Sequence, residues 1–195
     1  MTSPDVCREL VAAIGNEPVV ASLGHPAYDL FAIDDRPSNF YTWGSMGLAS
    51  SIGLGLAVAQ PERRVFVLDG DGSLLMNLGS LATIGWTRPV NLVLVVLDNE
   101  RYATTGGQAT ATAHGTDLEA VARAAGIVST ETVATVEELA AVLARTSIQP
   151  GPWAIVATVS DSTPTTRPPL DCVFIKQRFM SAIGTIEPAT IGGAS

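Results

Sequence analysis

A chain of 195 residues, 47% apolar and only 15% charged, is long enough for a full hydrophobic core and too apolar to be disordered. A formal charge of −8, with Lys176 as the only lysine, excludes the basic footprint of a nucleic-acid binder. So little charge, with a positive mean hydropathy, points to a surface covered in part by a partner subunit.

The first element expected is a helix over residues 4–14, with Ser3 as its N-cap. Val19–Ala21 is a short apolar strand ending at Gly24-His25-Pro26, and a turn-rich loop, DDRPSN, follows. Residues 45–59 read as a helix whose glycines suit close packing against another backbone, and Pro61-Glu62 ends it. Next come a strand, Val65–Asp69, and a helix over residues 74–86. Asn91–Leu97 is continuously apolar, as expected of a strand covered on both faces. A polar stretch over 98–115 precedes helices over 116–125 and 135–146, both with acidic first turns. Trp153–Val159 is the last strand; a Pro-rich linker, TPTTRPP, and a short helix near 172–182 follow.

Strands alternating with helices predict an α/β fold, a doubly wound, mainly parallel sheet with helices on both faces. Residues 1–160 are expected to form the binding domain, and 161–195 a linker and short helix that pack on it or on a partner. The longest candidate membrane run, residues 44–60, is interrupted by four glycines. MTSPDVCREL lacks the basic start and apolar core of a signal peptide, so a cytoplasmic protein is expected. Cys7 and Cys172 fit neither a disulfide framework nor a zinc spacing.

Ligands of such sheets sit at the carboxyl ends of the strands, and Gly24, Asp71 and Asn99 all follow strand ends. In VFVLDGDGSLLMN, a carboxylate stands between two glycines just past a strand. Glycine lets the backbone approach a ligand, and the free N–H groups of a new helix suit a phosphate. Asp71 would repel that phosphate unless a cation lay between them. A hard cation such as Mg2+ takes carboxylate, amide and phosphate oxygens together. Asn99, after the next central strand, brings an amide oxygen to the same sheet edge.

GDGSLLMN through LVLVVLDNERY resembles the thiamine-diphosphate motif, with Asp98 in place of the first Asn of its Asn pair. That resemblance implies Mg2+ on Asp71, Asn99 and the Arg101 carbonyl. It also implies diphosphate contacts from Gly70, Gly72 and Ser73, with Tyr102 beside the cofactor. WGSMGLASSIGLGLA resembles the stretch that holds the aminopyrimidine ring. Gly44 would accept the ring's amino group through its carbonyl, next to Ser45, and Met46 would be the apolar wedge that bends the cofactor. The catalytic roles implied fall on Gly44 and Met46. SLGHP resembles a phosphate-side loop, which makes Gly24 and His25 diphosphate neighbours.

Over nearly its whole length, including LDNERYATTGGQAT and IKQRFMSAI, the chain resembles the pyrophosphate-binding (beta) subunit of sulfopyruvate and phosphonopyruvate decarboxylases. This implies a two-chain carboxy-lyase for a 2-oxo acid with a second acid group, using thiamine diphosphate and Mg2+. An alpha-type pyrimidine-binding partner would supply the catalytic Glu, in a hetero-oligomer of two heterodimers. The chain departs from the family at Arg101 and Ala103-Thr104, near the substrate, so the 2-oxo acid is left open. Two other readings stay open: a subunit of an acyl-transferring or oxidative enzyme, or a non-catalytic scaffold partner. Thr104, Thr105 and Gln108 are candidates for substrate or cofactor contact or a plain polar loop. His114 is expected to face solvent, and Glu119, Glu137 and Glu138 to be helix-start acids without catalytic duty.

Overall fold

A computed structural model describes residues 1–184 of the chain. The expected helix over 172–182 is within that range, and residues 185–195 of the expected tail lie outside it. In chain order the elements are α1 (Ser3–Ala13), β1 (Val19–Ala21), α2 (His25–Ile33), β2 (Asn39–Tyr41), α3 (Ala49–Ala59) and β3 (Val65–Gly70). They continue with α4 (Asp71–Leu75), α5 (Gly79–Thr87), β4 (Leu92–Asp98), a short pair β5 (Arg101–Tyr102) and β6 (Gln108–Ala109), and α6 (Leu118–Ala124). The last are β7 (Ser129–Val133), α7 (Val136–Ile148), β8 (Trp153–Thr158) and α8 (Cys172–Ala182).

Among the described residues, six strands form one sheet in the order β2-β1-β3-β4-β8-β7, every neighbouring pair parallel. Alternation along the strands separates two cores. Phe66, Leu68, Val93 and Val95 face one layer with Leu10 of α1, Leu30 of α2, Leu139 of α7 and Ile175 of α8. Val65, Val67, Leu92 and Leu94 face the other with Ala57 of α3, Leu81 and Ile84 of α5 and Leu118 of α6. Both faces of the central strands are therefore covered, which is why they read as unbroken apolar runs.

Several expectations change. The cap of α1 is Thr2 and not Ser3: Thr2 Oγ1 accepts the Asp5 N–H, and Asp5 Oδ2 accepts the Thr2 N–H at 2.8 Å. Helix α2 and strands β2 and β7 went unread. Gly24-His25-Pro26 ends nothing; the proline sits in the first turn of α2, where its missing N–H costs no bond. β2 and β7 lie at the sheet edges, the first only three residues long and the second a polar, half-exposed STETV. The helix expected over 74–86 is two helices. Between them Asn77 donates its side-chain N–H to the Gly47 carbonyl at 3.0 Å, a bond from the break to the loop before α3. The helix read over 45–59 starts at Ala49, leaving Ser45 and Met46 in a loop. Its Gly53 packs against a side chain and not a backbone: a Cβ there would lie 2.1 Å from Val67 Cγ2.

The C-terminal helix lies on the β2 edge. Phe179 packs tilted against Phe40 with ring centroids 5.3 Å apart, and Arg178 pairs bidentately with Asp35 at 2.8 and 2.9 Å. Cys7 is buried and Cys172 exposed, both as free thiols. Among the described residues no helix is long and apolar enough to cross a membrane.

Candidate active-site cleft at the carboxyl ends of the strands

From β1 the chain turns outward to β2, and β3 then joins the opposite side of β1. This is the topological switch point, where the loops leaving adjacent strands part and open a crevice. A cleft of about 660 Å3, open to solvent, lies there. His25, Met46, Gly70, Asp71, Gly72, Ser73, Asn99, Arg101 and Tyr102 line it, as do Thr104 and Thr105. Of the other expected residues, Gly24 stands behind that wall, since a Cβ on it would meet Thr104 Oγ1 at 2.5 Å. Gly44 and Ser45 are exposed, both with positive φ (72° and 55°), on the loop that leads into Met46. Gln108 and His114 are exposed and are not among the lining residues.

One corner of the cleft gathers oxygen atoms. The register Gly70↔Leu97 sets Asp71 and Asp98 one step beyond the last pair of β3 and β4. Asp71 is 2% exposed, and its Oδ2 accepts from Thr110 Oγ1 at 2.7 Å and from Thr112 Oγ1 at 3.2 Å. Thr112 Oγ1 also lies 2.8 Å from Asp98 Oδ1. Burial pushes the Asp71 carboxyl up to about 6; hydrogen bonds from Thr110, the Gly72 backbone and Thr112 pull it down, and the charge of Asp98 raises it. Asn99 donates its amide N–H to Asp161 at 3.3 Å and accepts the Arg101 N–H on Oδ1 at 3.2 Å. The Arg101 guanidinium is turned to Asp161, 3.4 Å away, so it does not neutralise Asp71.

The glycine-bounded turn is the second component. Gly72 has to be glycine, since a Cβ would sit 2.5 Å from the Tyr102 ring. Ser73 is 5% exposed, and its Oγ accepts the Gly47 N–H and the Ser22 hydroxyl, each at 3.0 Å. The side chain is thus committed inward, and what Ser73 offers a ligand is its backbone N–H. Asp69, fully buried below the turn, accepts the Gly70 N–H on Oδ1 at 2.9 Å. Its Oδ2 has no hydrogen-bond partner; the Ser73 and Ser22 hydroxyls lie beside the carboxyl, which burial holds above the ordinary carboxylate range.

The far wall carries His25 and Ser3. Ser3 Oγ donates to the buried Asp29 at 2.6 Å; burial raises Asp29, while that bond and the nearby His25 pull it down. The mouth is bordered by the segment after β8. Ser160 and Ser162 line the cleft, and the Trp43 indole donates to the Pro169 carbonyl at 2.9 Å.

The thiamine pyrophosphate enzyme family, in its C-terminal TPP binding domain, matches residues 25–157. The chain belongs to that family. The sulfopyruvate decarboxylase subunit beta of Methanocaldococcus jannaschii is 42% identical over 181 residues, 92% of this chain and 95% of that one. The phosphonopyruvate decarboxylase of Streptomyces viridochromogenes is 38% identical over 184 residues, 91% of this chain but 46% of that longer one. Among solved structures, benzoylformate decarboxylase from Polynucleobacter necessarius superposes with a TM-score of 0.64 at 23% identity, over 82% of this chain and 33% of that one. That last likeness is one of fold.

The residues present fit the family's cofactor. Asp71 and Asp98 share one hydroxyl with no basic side chain between them, and an amide oxygen and a backbone carbonyl follow at Asn99 and Arg101. A carboxylate, an amide and a carbonyl at one sheet edge suit a hard divalent cation. Among the described residues no three His, Cys, Asp or Glu are clustered to hold a metal, so the amide and carbonyl oxygens would have to complete the set with Asp71. Sequence reasoning missed Thr110, Thr112, Ser22 and Asp161. Thr110 and Thr112 carry no local signature, and Asp161 sits at the start of a stretch read as linker.

Proposed function

We propose that this chain is the diphosphate- and Mg2+-binding subunit of a two-chain thiamine-diphosphate-dependent decarboxylase. Its substrate is a 2-oxo acid with a second acid group, of the sulfopyruvate or phosphonopyruvate type. The observation that carries the reading is the oxygen-rich corner of Asp71, Asn99 and Arg101 at the switch-point cleft. The names of the relatives supply the reaction, and the term subunit beta supplies the second chain.

Bound thiamine diphosphate supplies the electron sink for loss of carbon dioxide. The protein's part is to hold and orient. Asp71, Asn99 and the Arg101 carbonyl would hold Mg2+, and the N–H groups of Gly72 and Ser73, in the turn that begins at Gly70, would hold the diphosphate, with Gly24, His25 and Tyr102 beside it. The Gly44 carbonyl would accept the aminopyrimidine, next to Ser45, and Met46 would press against the cofactor from the apolar side. An alpha-type partner would bring the pyrimidine-binding wall and its glutamate, close the cleft to water and so favour loss of carboxylate charge.

Exposure supports a partner at this face. Gly44 and Ser45 are uncovered, and Leu48 and Met76, the latter beside Gly47, present large apolar side chains to solvent. An obligate interface of ~2,000 Å2 or more would cover them. We take the assembly to be a pair of heterodimers, in the cytoplasm, where two free cysteines stay reduced.

The test is a decarboxylation assay with Mg2+ and thiamine diphosphate on the chain freed of other proteins, and again after adding its partner. The chain alone should be inactive and the pair should release free aldehyde and carbon dioxide. Full turnover by the single chain would overturn the split site. An acyl-transfer or oxidised product would overturn the simple decarboxylase.

A further inference from the structure

Thr110 and Thr112 are 1% and 8% exposed, yet both hydroxyls are aimed at carboxylates. Their oxygens lie 2.8 Å apart. A threonine in a loop gains nothing in packing from its hydroxyl, and burying that hydroxyl is costly unless it is hydrogen-bonded. Here every bond runs to the cation corner. We propose, on the reading of this corner as the Mg2+ site, that Thr110 and Thr112 are positioning residues that fix the orientation of Asp71, with Thr112 coupling it to Asp98.

The geometry gives each part a task. Both threonine bonds to Asp71 fall on the same oxygen, Oδ2, at 2.7 and 3.2 Å. The other oxygen, Oδ1, is left unheld by them, so a cation would meet a carboxylate whose rotation is already stopped. Two carboxylates in direct contact would repel each other. The Thr112 hydroxyl stands between them as the donor, 2.8 Å from Asp98 Oδ1. One hydroxyl proton serves one acceptor at a time, so Thr110, at 2.7 Å, is the steady holder of Asp71 and Thr112 the shared one.

The backbone delivers the pair as a unit with a proposed ligand. Strands β5 and β6 pair antiparallel, with Arg101 opposite Ala109 and Tyr102 opposite Gln108. The Thr110 N–H then closes on the Glu100 carbonyl at 3.0 Å. One hairpin therefore carries the Arg101 carbonyl at its start and the orienting hydroxyls just past its end. Hydrogen bonds that orient a metal ligand contribute to metal affinity although they never touch the metal.

The experiment uses the assembled pair and compares Thr110→Val and Thr112→Val with Thr110→Ser and Thr112→Ser. Valine keeps the shape and removes the donor; serine keeps the donor. The readout is the Mg2+ concentration that gives half-maximal thiamine diphosphate binding by calorimetry, together with direct Mn2+ binding by electron paramagnetic resonance. The valine variants should need about tenfold more Mg2+, and the serine variants should stay near wild type. At saturating Mg2+ the KM for the 2-oxo acid should be unchanged in all four. A purely structural role would lower the melting temperature without moving the Mg2+ requirement, and that result would overturn the proposal, as would serine variants as impaired as valine ones. If the valine variants do not fold, Thr110→Ala and Thr112→Ala, which cannot overpack the site, carry the same expectation. Cofactor binding by the wild-type pair without any divalent cation would overturn the Mg2+ reading and the positioning role with it. An unchanged requirement in variants of a Mg2+-dependent wild type would overturn the positioning role alone.

Discussion

The Ser22 hydroxyl donates to Ser73 Oγ over 3.0 Å, between residues 51 apart in the chain. Ser73 Oγ also accepts the Gly47 N–H, so the loops after β1 and β3 and the loop carrying Met46 meet on one buried oxygen. Ser73→Ala keeps the backbone N–H offered to the diphosphate but leaves the Gly47 N–H and the Ser22 hydroxyl without their acceptor. An orphaned buried polar group costs about 1–3 kcal/mol. The variant should melt lower and turn over more slowly because the Met46 loop is less firmly placed, while cofactor affinity changes little. A melting curve and a calorimetric titration on the pair decide it. Unchanged stability would show that the junction holds nothing.

Asp71→Ala should abolish detectable binding of thiamine diphosphate by the pair in Mg2+, with the fold kept by circular dichroism. It removes the carboxylate of the cation corner and leaves Asp98 beside the diphosphate with no cation held between them. Wild-type affinity in this variant would remove Asp71 from the metal site.

Met46→Ala should spare the diphosphate and harm the rate. Met46 lines the cleft from a loop that carries no charged group, so it can shape the cofactor but not hold its phosphates. A misplaced reacting atom costs on the order of 100-fold, and the loss should appear in kcat with the cofactor dissociation constant nearly constant. The opposite split, affinity lost with rate kept, would contradict the wedge.

Asp5→Ala should cost about 1 kcal/mol at pH 7, by opening the capping box of α1. Bonds from the Thr2 backbone and hydroxyl, with Arg8 adding less, hold the Asp5 carboxyl below its ordinary value of 3.8. A lowered native value means the stabilisation is fully present above 3.8 and is lost as the pH falls through the native value. Urea unfolding at pH 7 and pH 3 should therefore show the gap to wild type shrinking in acid. A gap of the same size at both would show that the carboxylate charge plays no part.

How much of the site was legible follows from where its information lies. Asp71 and Asn99 could be found because each follows the end of a strong apolar strand, where the pattern breaks. Gly44 to Met46 came through the resemblance of a continuous stretch. Helix α2 was hidden because Gly24-His25-Pro26 carries the same signals as a turn, and only the helical residues Ala27–Ile33 that follow show the proline to be a helix start. β2 and β7 were hidden because edge strands have one side unpaired and need neither length nor apolar character. Thr110 and Thr112 could not be found, since threonine in a polar loop has no pattern that marks its partner.

By itself the sequence determined the parallel α/β class, the central strands and the carboxylate and amide at their ends. These are local properties: a strand covered on both faces must be apolar throughout, and a chain leaving it must turn. Only the tertiary structure decided that Thr110 reaches Asp71 across 39 residues, that Ser73 spends its hydroxyl inward on Ser22 and Gly47, and that Arg101 faces Asp161. Those pairings depend on strand order and register, which place the ends of β1, β3 and β4 side by side, and a hydrogen bond between distant residues exists only once the sheet has set that distance.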